Sequence, residues 1–350
     1  MTQEKVQRKL RETKINMAHG SGGKKMRDLI EDVFLSAFHN PMLAPLEDQA
    51  VMNLADLAKN GDRLAFTTDS YVVSPLFFAG GSIGTLAVNG TVNDLAMSGA
   101  KPLYLSCGMV LEEGLDVQIL RDVVENMREA ADAVGVSIVT GDTKVVERGA
   151  ADKLFINTSG VGVIPKGVNI SATRAQVGDK IIINGFLGDH GCAILLARNE
   201  LALETDIETD CQPLYELVKQ MLAVCPDIHC LRDATRGGVG TVLNEFAECS
   251  NVGITINENA LPMRENVKGA CEILGLDPLY LANEGKLLAI VPPDFADIVI
   301  ETMRQNPAGK NAAIIGEVVE AQNIMVTMNT VFGGSRIVDL LVGEQLPRIC

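Results

Sequence analysis

The chain lacks tryptophan, and aromatic residues make up only 4% of its 350 residues. It also lacks a run of about 18 apolar residues, so the sequence predicts no membrane-spanning helix. Residues 1–14 are polar and charged, without the apolar stretch of a secretory signal peptide. These absences predict a cytoplasmic protein.

Positive charge is scarce, because 30 Lys and Arg stand against 45 Asp and Glu, a formal net charge of −15. Such a surface repels nucleic acid and anionic membranes, so we expect neither as a partner. The eight cysteines show no C-x-x-C spacing, which removes the commonest zinc and redox motifs. A zinc site built from Cys225, His229 and Cys230 stays open, beside the plainer interpretation that these cysteines fill apolar cores.

The sequence is rich in glycine and in alternating strand-like and helix-like segments. Its length exceeds what one core usually supports, so two domains are predicted. We predict an α/β (α+β) chain with these parts: a solvated extension over 1–14, an N-terminal domain over 15–165, a second α/β domain over 166–343 and a tail over 344–350.

The clearest predicted helix runs over 115–134, where apolar residues recur at helical spacing and Gly135 follows. Elsewhere in the first half we expect strands over 64–69, 103–111, 136–140 and 154–164 and a helix from about Gly80 to Ser98. In the second half we expect strands over 180–184, 253–256, 286–291 and 313–318 and helices over 190–198, 213–223, 239–250 and 294–305.

A glycine-rich segment precedes an amphipathic helix predicted over 25–38. It consists of His19, Gly20, Ser21, Gly22 and Gly23, followed by Lys24. Glycines permit close backbone approach and a helix N-terminus favours anions, so we expect phosphate contact. The segment does not match G-x-x-x-x-G-K-[ST], so a P-loop NTPase is not supported.

Carboxylates recur near predicted element ends in the first half, at Glu47, Asp48, Asp69, Asp94 and Asp142. A single Asp of this kind is usually a helix cap or a turn residue. Several together repel one another unless a cation joins them, and hard oxygen ligands suit Mg²⁺. The predicted ligand is therefore a Mg²⁺-bound nucleotide.

The second half carries two further polar segments. Asp233 and Arg236 precede the helix predicted from Val239, where an anion would meet a helix N-terminus and a forked donor. Glu284, just ahead of the strand at 286–291, is either a buried base or a turn carboxylate, and the sequence leaves both open.

Cys350 is the last residue, after Pro347 and Arg348. A terminal thiol is normally accessible, and an extended tail over 344–350 spans about 20 Å. With an intrinsic pKa of about 8.5, only a small fraction is thiolate at neutral pH, so a partner or a site has to activate it. The plain alternative is a terminal cysteine without a role.

Together these segments resemble the hydrogenase maturation factors of the HypE family, also called carbamoyl dehydratases, in the aminoimidazole ribonucleotide synthetase superfamily. The resemblance runs from about Ile15 to Cys350. The segments that carry it are 18–23, 47–48, 68–70, 93–96, 140–144, 233–238 and 347–350. The glycine loop and single carboxylates are shared across the superfamily, whereas the Pro-Arg-Ile-Cys ending is far more specific.

The resemblance implies a homodimer formed by the N-terminal domains, with ATP bound through Mg²⁺. It implies that a partner, HypF, places a carbamoyl group on Cys350, that ATP-dependent dehydration converts it to a thiocyanate, and that the cyano group passes to iron on a HypC–HypD complex. The candidate nucleotide-binding residues are His19, Gly20, Ser21, Gly22, Gly23, Asp69, Asn93, Asp94, Gly141, Asp142, Thr143, Asp233 and Arg236. The candidate Mg²⁺ ligands are Asp48, Asp69, Asp94 and Asp142.

Dehydration removes two protons from the carbamoyl nitrogen, so we hypothesise Lys144 and Glu284 as the residues that accept them. Two alternatives stay open. One is another ATP-using superfamily member, such as a selenophosphate synthetase. The other is a non-catalytic metal or thiol carrier in which Cys350 acts with His229 and Cys230.

Overall fold

The computed structural model describes residues 10–198, 206–321, 323–341 and 343. Cys350 and the rest of the predicted tail over 344–350 lie outside the described residues. Among the residues described, no helix is both long and apolar enough to cross a membrane.

A four-stranded sheet with helices on one face forms the N-terminal domain. The strands of this domain are β1 (Arg63–Tyr71), β2 (Phe77–Phe78), β3 (Gly81–Ser82), β4 (Lys101–Glu112), β5 (Ser137–Val146) and β6 (Leu154–Ile164), and its helices are α1 (Lys24–Leu29), α2 (Leu35–Phe38), α3 (Leu54–Leu57), α4 (Ile83–Met97) and α5 (Val117–Val134). A π-helical turn, Ile30–Phe34, joins α1 to α2. The sheet has the order β1-β6-β4-β5, and only β4 and β5 are parallel.

Helix α4 is almost entirely buried, because it packs against the sheet, α5 and the second domain. Helix α5 is amphipathic, and its bounds confirm the periodicity: Asp116 accepts a hydrogen bond from the Gln118 amide at 2.7 Å, and Gly135 ends the helix at φ 71°. The opposite face of the sheet exposes Leu64 and Phe66.

The second domain is a seven-stranded sheet between helices. Its strands are β7 (Lys180–Ile183), β8 (Cys230–Asp233), β9 (Gly253–Asn257), β10 (Leu287–Val291), β11 (Ala313–Val319), β12 (Val326–Asn329) and β13 (Ser335–Val338), and its helices are α6 (Asp189–Ala197), α7 (Tyr215–Val224), α8 (Gly238–Ser250), α9 (Glu265–Leu274) and α10 (Ala296–Gln305). The strand order is β13-β12-β9-β11-β7-β10-β8. Helix α8 shares one apolar core with this sheet, and α7 and α10 share another.

Several expectations need correction. Strand β5 runs to Val146, not to Thr140, because β4 keeps pairing with it, so the segment 141–144 lies within a strand. Residues 10–14 are not a solvated extension, since Leu10 is buried and the Thr13 carbonyl accepts a hydrogen bond from the Val117 amide. Strands β8, β12 and β13 and helix α9 were not predicted. The three strands have four residues each, so packing against neighbouring strands decides them.

Candidate active site

Four acidic residues meet where the two domains touch, and we call them the acidic junction: Asp69, Asp94, Asp233 and Glu284. Asp69 lies on β1 and Asp94 on α4, Asp233 ends β8, and Glu284 precedes β10. Helix α4 packs against both β1 and β8, which brings the carboxylates of the two domains together. Arg236, ahead of α8, crosses the junction, with its Nη2 3.1 Å from Oδ1 of Asp69.

Burial and mutual repulsion dominate the electrostatics of this junction. Burial raises the pKa of Asp94, although the Thr67 hydroxyl donates to its carboxylate at 2.8 Å. Burial, with the charges of Asp94 and Asp69, raises the pKa of Asp233 to about 7. The pKa of Glu284 is raised well above its ordinary value by burial and by the neighbouring carboxylates. Such a site favours a bound cation or a proton.

Glu284 has a carboxylate oxygen without a hydrogen-bond partner at the acidic junction, among the described residues. Its Oε1 is buried and has no hydrogen-bond partner among the described residues. A buried acceptor without a partner costs about 1–3 kcal/mol, so its persistence points to a ligand or a transferred proton. Of the two interpretations that the sequence left open, the geometry favours the buried base.

Asp210 holds the loop that carries Glu284. Its Oδ1 accepts from the Glu284 amide at 3.0 Å, and its Oδ2 accepts from the Gly285 amide at 3.3 Å and from Nζ of Lys286 at 2.7 Å. Glycine is required at 285, because a Cβ there would lie 2.0 Å from the Asp210 carbonyl oxygen. Nothing in the sequence marked Asp210 as part of the site, since its partners are distant in the chain.

Asn93 connects the two domains. Its side-chain amide donates to the carbonyls of Gln212, at 3.0 Å, and Glu284, at 3.4 Å, and its Oδ1 accepts from the Leu214 amide at 2.8 Å. The amide predicted to contact a nucleotide is therefore fully engaged in aligning α4 with the second domain.

A second group of predicted residues lines a cavity of about 540 Å³ between the helices α1 and α2 and strand β5. Its polar wall contains Asp48, Gly141, Asp142, Thr143 and Gly22, and its apolar wall contains Ile30, Phe34, Leu43 and Ile138. Asp142 lies 3.0 Å from Nζ of Lys144, and both side chains are more than 60% exposed. A cavity with one polar and one apolar wall suits a nucleotide.

The structure does not bring the four predicted Mg²⁺ ligands together within one chain. Asp69 on β1 lies opposite Thr158 on β6, and Thr158 lies opposite Cys107 on β4. Cys107 in turn lies opposite Gly141 on β5, the neighbour of Asp142. Asp69 and Asp142 are thus three strand spacings apart, about 14 Å, whereas Mg²⁺ binds oxygens at about 2.1 Å. The part of the chain that the structure describes holds no group of three or more His, Cys, Asp or Glu suited to a metal.

The two carboxylate pairs remain separate: Asp69 and Asp94 lie at the acidic junction, and Asp48 and Asp142 line the cavity. Lys144 and Glu284 are separated in the same way. The hypothesised pair of bases is therefore not assembled within one chain.

The glycine-rich segment is anchored to β5. His19 is fully buried, and its Nδ1 accepts from the Asn16 amide at 2.9 Å. Burial lowers the pKa of His19, so the ring is neutral and carries its proton on Nε2, which has no partner among the described residues. A Cβ at Gly20 would lie 2.8 Å from the Val145 nitrogen. The segment thus places Gly22 at the cavity.

The alternative zinc site is wrong. Cys225 and Cys230 are fully buried, as expected of core cysteines. Nδ1 of His229 lies 2.7 Å from Oδ2 of Asp179, in a buried pair. The carrier interpretation also needs Cys350, which lies outside the described residues.

Comparison with known proteins adds to this geometry. The sequence matches two family models: the N-terminal domain of the AIR synthase related proteins over residues 46–164, and their C-terminal domain over residues 176–329. The carbamoyl dehydratase HypE of Rhodobacter capsulatus is 55% identical over 341 residues, which cover 97% of this chain and 99% of that protein.

Two solved structures are similar in sequence and fold. One is a hydrogenase maturation protein HypE in complex with ATP, at 49% identity and a TM-score of 0.91, covering 95% of this chain and 99% of that one. The other is a HypE–HypF complex, at 49% identity and a TM-score of 0.78, covering 89% of this chain and 99% of that one. The predicted resemblance and two-domain fold are confirmed, and the chain belongs to the HypE family of carbamoyl dehydratases.

Proposed function

We propose that this chain uses ATP to dehydrate a carbamoyl group carried on Cys350, which yields a thiocyanate and supplies cyanide ligands to the iron of a nickel-iron hydrogenase. The observation that carries the proposal is 55% identity to a carbamoyl dehydratase over 97% of the chain. The match to a HypE structure in complex with ATP supports the nucleotide. This identity favours carbamoyl dehydration over the chemistry of a selenophosphate synthetase.

Dehydration of the carbamoyl group proceeds through phosphorylation of its oxygen. The carbamoyl oxygen attacks the γ-phosphorus of ATP and displaces ADP, and the nitrogen loses one proton. Loss of the second nitrogen proton then forms the C≡N bond as the C–O bond breaks and phosphate leaves. Overall, the S-carbamoyl group and ATP give thiocyanate, ADP, phosphate and a proton. Phosphorylation turns the oxygen, a very poor leaving group, into a good one.

Glu284 is our candidate to accept a nitrogen proton. A raised pKa makes its carboxylate a stronger proton acceptor once it is ionised. The Oε1 atom is already desolvated and free of protein hydrogen bonds among the described residues. Arg236 is placed to hold phosphate oxygens at the same junction, since its guanidinium reaches Asp69.

We propose that ATP enters the cavity beside Asp142 and that Mg²⁺ offsets its phosphate charge. The donor set fits this ion, because hard carboxylate oxygens are its usual ligands and burial among other carboxylates raises the pKa values of Asp94 and Asp233 at the junction. Asp69 with Asp94, and Asp48 with Asp142, are the residues that would hold Mg²⁺.

A second copy of the chain would bring together the two parts of the site that are separated within one chain, Lys144 and the acidic junction. The open face of the N-terminal sheet exposes Phe66 and Leu64 on β1 and carries Lys144 on β5. Pairing two such faces buries this apolar surface and would place Lys144 of one copy near the junction of the other. We therefore propose a homodimer, testable by light scattering: Phe66→Asp should give monomers and lose activity, and a dimeric variant would rule this face out.

HypF is the proposed carbamoyl donor, supported by the match to a HypE–HypF complex, and a HypC–HypD complex is the proposed acceptor. We propose that the reaction takes place in the cytoplasm, which is consistent with the free thiols of the described cysteines.

Intact-mass analysis after incubation with HypF, carbamoyl phosphate and ATP tests the function directly. We expect the mass of one carbamoyl group without a hydrolysable nucleotide, and loss of one water from that adduct once ATP is added. Fragmentation should place both adducts on Cys350, and Cys350→Ser should abolish them. An adduct that ATP leaves unchanged would contradict the proposal.

A further inference from the structure

The β12–β13 hairpin presents apolar side chains to solvent. Phe332, at its tip, is 97% exposed, and Val331, Ile337 and Leu340 are exposed beside it. We call these four residues the hairpin surface. A single exposed apolar residue is ordinary, but several on one short hairpin form the kind of apolar patch that marks an interaction site.

The tip is nevertheless a built structure. The Thr330 amide donates to the Gly334 carbonyl at 2.8 Å, and the Val331 amide donates to Oε2 of Glu258 at 2.9 Å. Gly333 takes φ +84°, which a side chain would disfavour. The hairpin therefore holds Phe332 in a defined position.

Among the residues that the structure describes, no helix covers this end of the sheet on the face of Ile337. Val338 points into the core under α8, so its neighbour Ile337 points to the opposite face. The core under α7 and α10 draws strand residues from β7, β8, β10 and β11 and, within the described ranges, none from β12 or β13. Within the described part of the chain, Ile337 thus lies uncovered on the side where helices cover the other strands.

The hairpin tip and the active site lie at the same end of the sheet, where the strands that run in one direction have their carboxyl ends. Strands β7, β8, β9 and β12 run in the same direction, as the pairing of each neighbour shows. The tip follows the carboxyl end of β12, and Asp233 is the last residue of β8, so both lie at this end of the sheet. Five strand spacings separate β12 from β8, about 24 Å.

The length of chain that follows restricts where a partner acting on Cys350 can sit. Gly343 is five residues beyond β13, and Cys350 is seven residues further. Seven residues span at most about 25 Å. A partner that modifies the Cys350 thiol must therefore place its own site within this radius of Gly343, which follows β13, the second strand of the hairpin.

We propose that the hairpin surface is the docking surface for the carbamoyl-donating partner, HypF, with Phe332 as its anchor. This inference rests on the proposed function. Exposed aromatic side chains on a rigid element are typical anchors of such interfaces. Glu258 and Asp339 lie beside the surface, so the partner should offer an apolar pocket with basic residues at its rim.

The test measures binding of purified HypF to the full chain by calorimetry. Phe332→Asp should raise the Kd by at least about tenfold and slow enzymatic carbamoylation of Cys350 in proportion at subsaturating HypF. The matched control is Val177→Asp, which puts the same charge on a residue that is 61% exposed and lies beside Val318 of β11, at the end of the strands away from the hairpin tip. It should bind as the wild type does. Phe332→Ala should weaken binding without lowering the melting temperature.

A second readout separates docking from catalysis. Cyanate carbamoylates the thiol without HypF: sulfur bonds to the carbon of isocyanic acid, and the thiol proton moves to its nitrogen. Cyanate-loaded Phe332→Asp should convert to thiocyanate with ATP at the wild-type rate. HypF binding unchanged within twofold, or equal loss in Val177→Asp, would overturn the docking proposal. Failure of the cyanate-loaded wild type to lose water would instead overturn the proposed function.

Discussion

The ion pair between Asp210 and Lys286 fixes the loop that carries Glu284, so Asp210→Ala should weaken both the fold and the reaction. The side chains are only 3% and 6% exposed, and their charged atoms lie 2.7 Å apart. Removing one partner of a buried pair leaves the other charge uncompensated, at about 3–5 kcal/mol. The amides of Glu284 and Gly285 lose their acceptor as well.

A matched pair on the surface isolates the effect of burial. Lys180 and Glu317 lie 2.6 Å apart, yet their side chains are 34% and 50% exposed. Exposed pairs contribute about 0–1 kcal/mol. We therefore expect Glu317→Ala to cost at most about 1 kcal/mol, and Asp210→Ala at least about 3 kcal/mol, at nearly the same charge separation.

The assay is urea unfolding followed by circular dichroism, because the chain has no tryptophan to report by fluorescence. The Asp210→Ala variant, in conditions where it stays folded, should also convert carbamoylated Cys350 more slowly than Glu317→Ala. Equal losses of unfolding free energy in the two variants would refute the claim that burial makes this pair structural.

The same pair predicts a pH dependence. Burial opposes ionisation of Asp210, but the charge and hydrogen bond of Lys286 outweigh it, so the pKa is lowered from 3.8. A lowered folded-state pKa stabilises the fold above the unfolded value, and this stability is lost as the pH falls through the folded-state pKa. The stability gap between wild type and Asp210→Asn should therefore narrow below about pH 4.

Three further predictions concern the site itself. Glu284→Gln should slow thiocyanate formation by about a hundredfold or more while ATP affinity stays unchanged; unchanged turnover would remove Glu284 from the mechanism. Asp142→Asn should weaken Mg²⁺-ATP binding, and wild-type affinity by calorimetry would exclude it as a ligand. Asp233 has a folded-state pKa raised to about 7, so it lowers stability as the pH rises from about 4 to 7. In Asp233→Asn the fall in unfolding free energy between pH 4 and 7 should be smaller by up to about 4 kcal/mol, since each pKa unit corresponds to about 1.4 kcal/mol, and an unaltered pH dependence of urea unfolding would show that Asp233 ionises freely.

Much of the fold could be predicted from the sequence, because local patterns suffice for long, periodic elements. Helix α5 followed from its apolar spacing and from Gly135, and β4 and β6 from their runs of apolar residues. The short elements β8, β12 and β13 could not be found, because strands of four residues take their stability from neighbours distant in the chain.

The sequence by itself determined the residue types and the family, since motifs such as 141–144, 233–238 and 347–350 are read along the chain. Only the tertiary structure decided which of those residues meet. Asp69 and Asp142 lie on opposite edge strands of one sheet, whereas Asp69 contacts Arg236 of the other domain. Asp210 accepts a hydrogen bond from the Glu284 amide and so fixes the loop that carries Glu284. The physical reason is that burial and charge act through space: Glu284 has its raised pKa and its unpaired oxygen because the fold buries it among carboxylates of both domains.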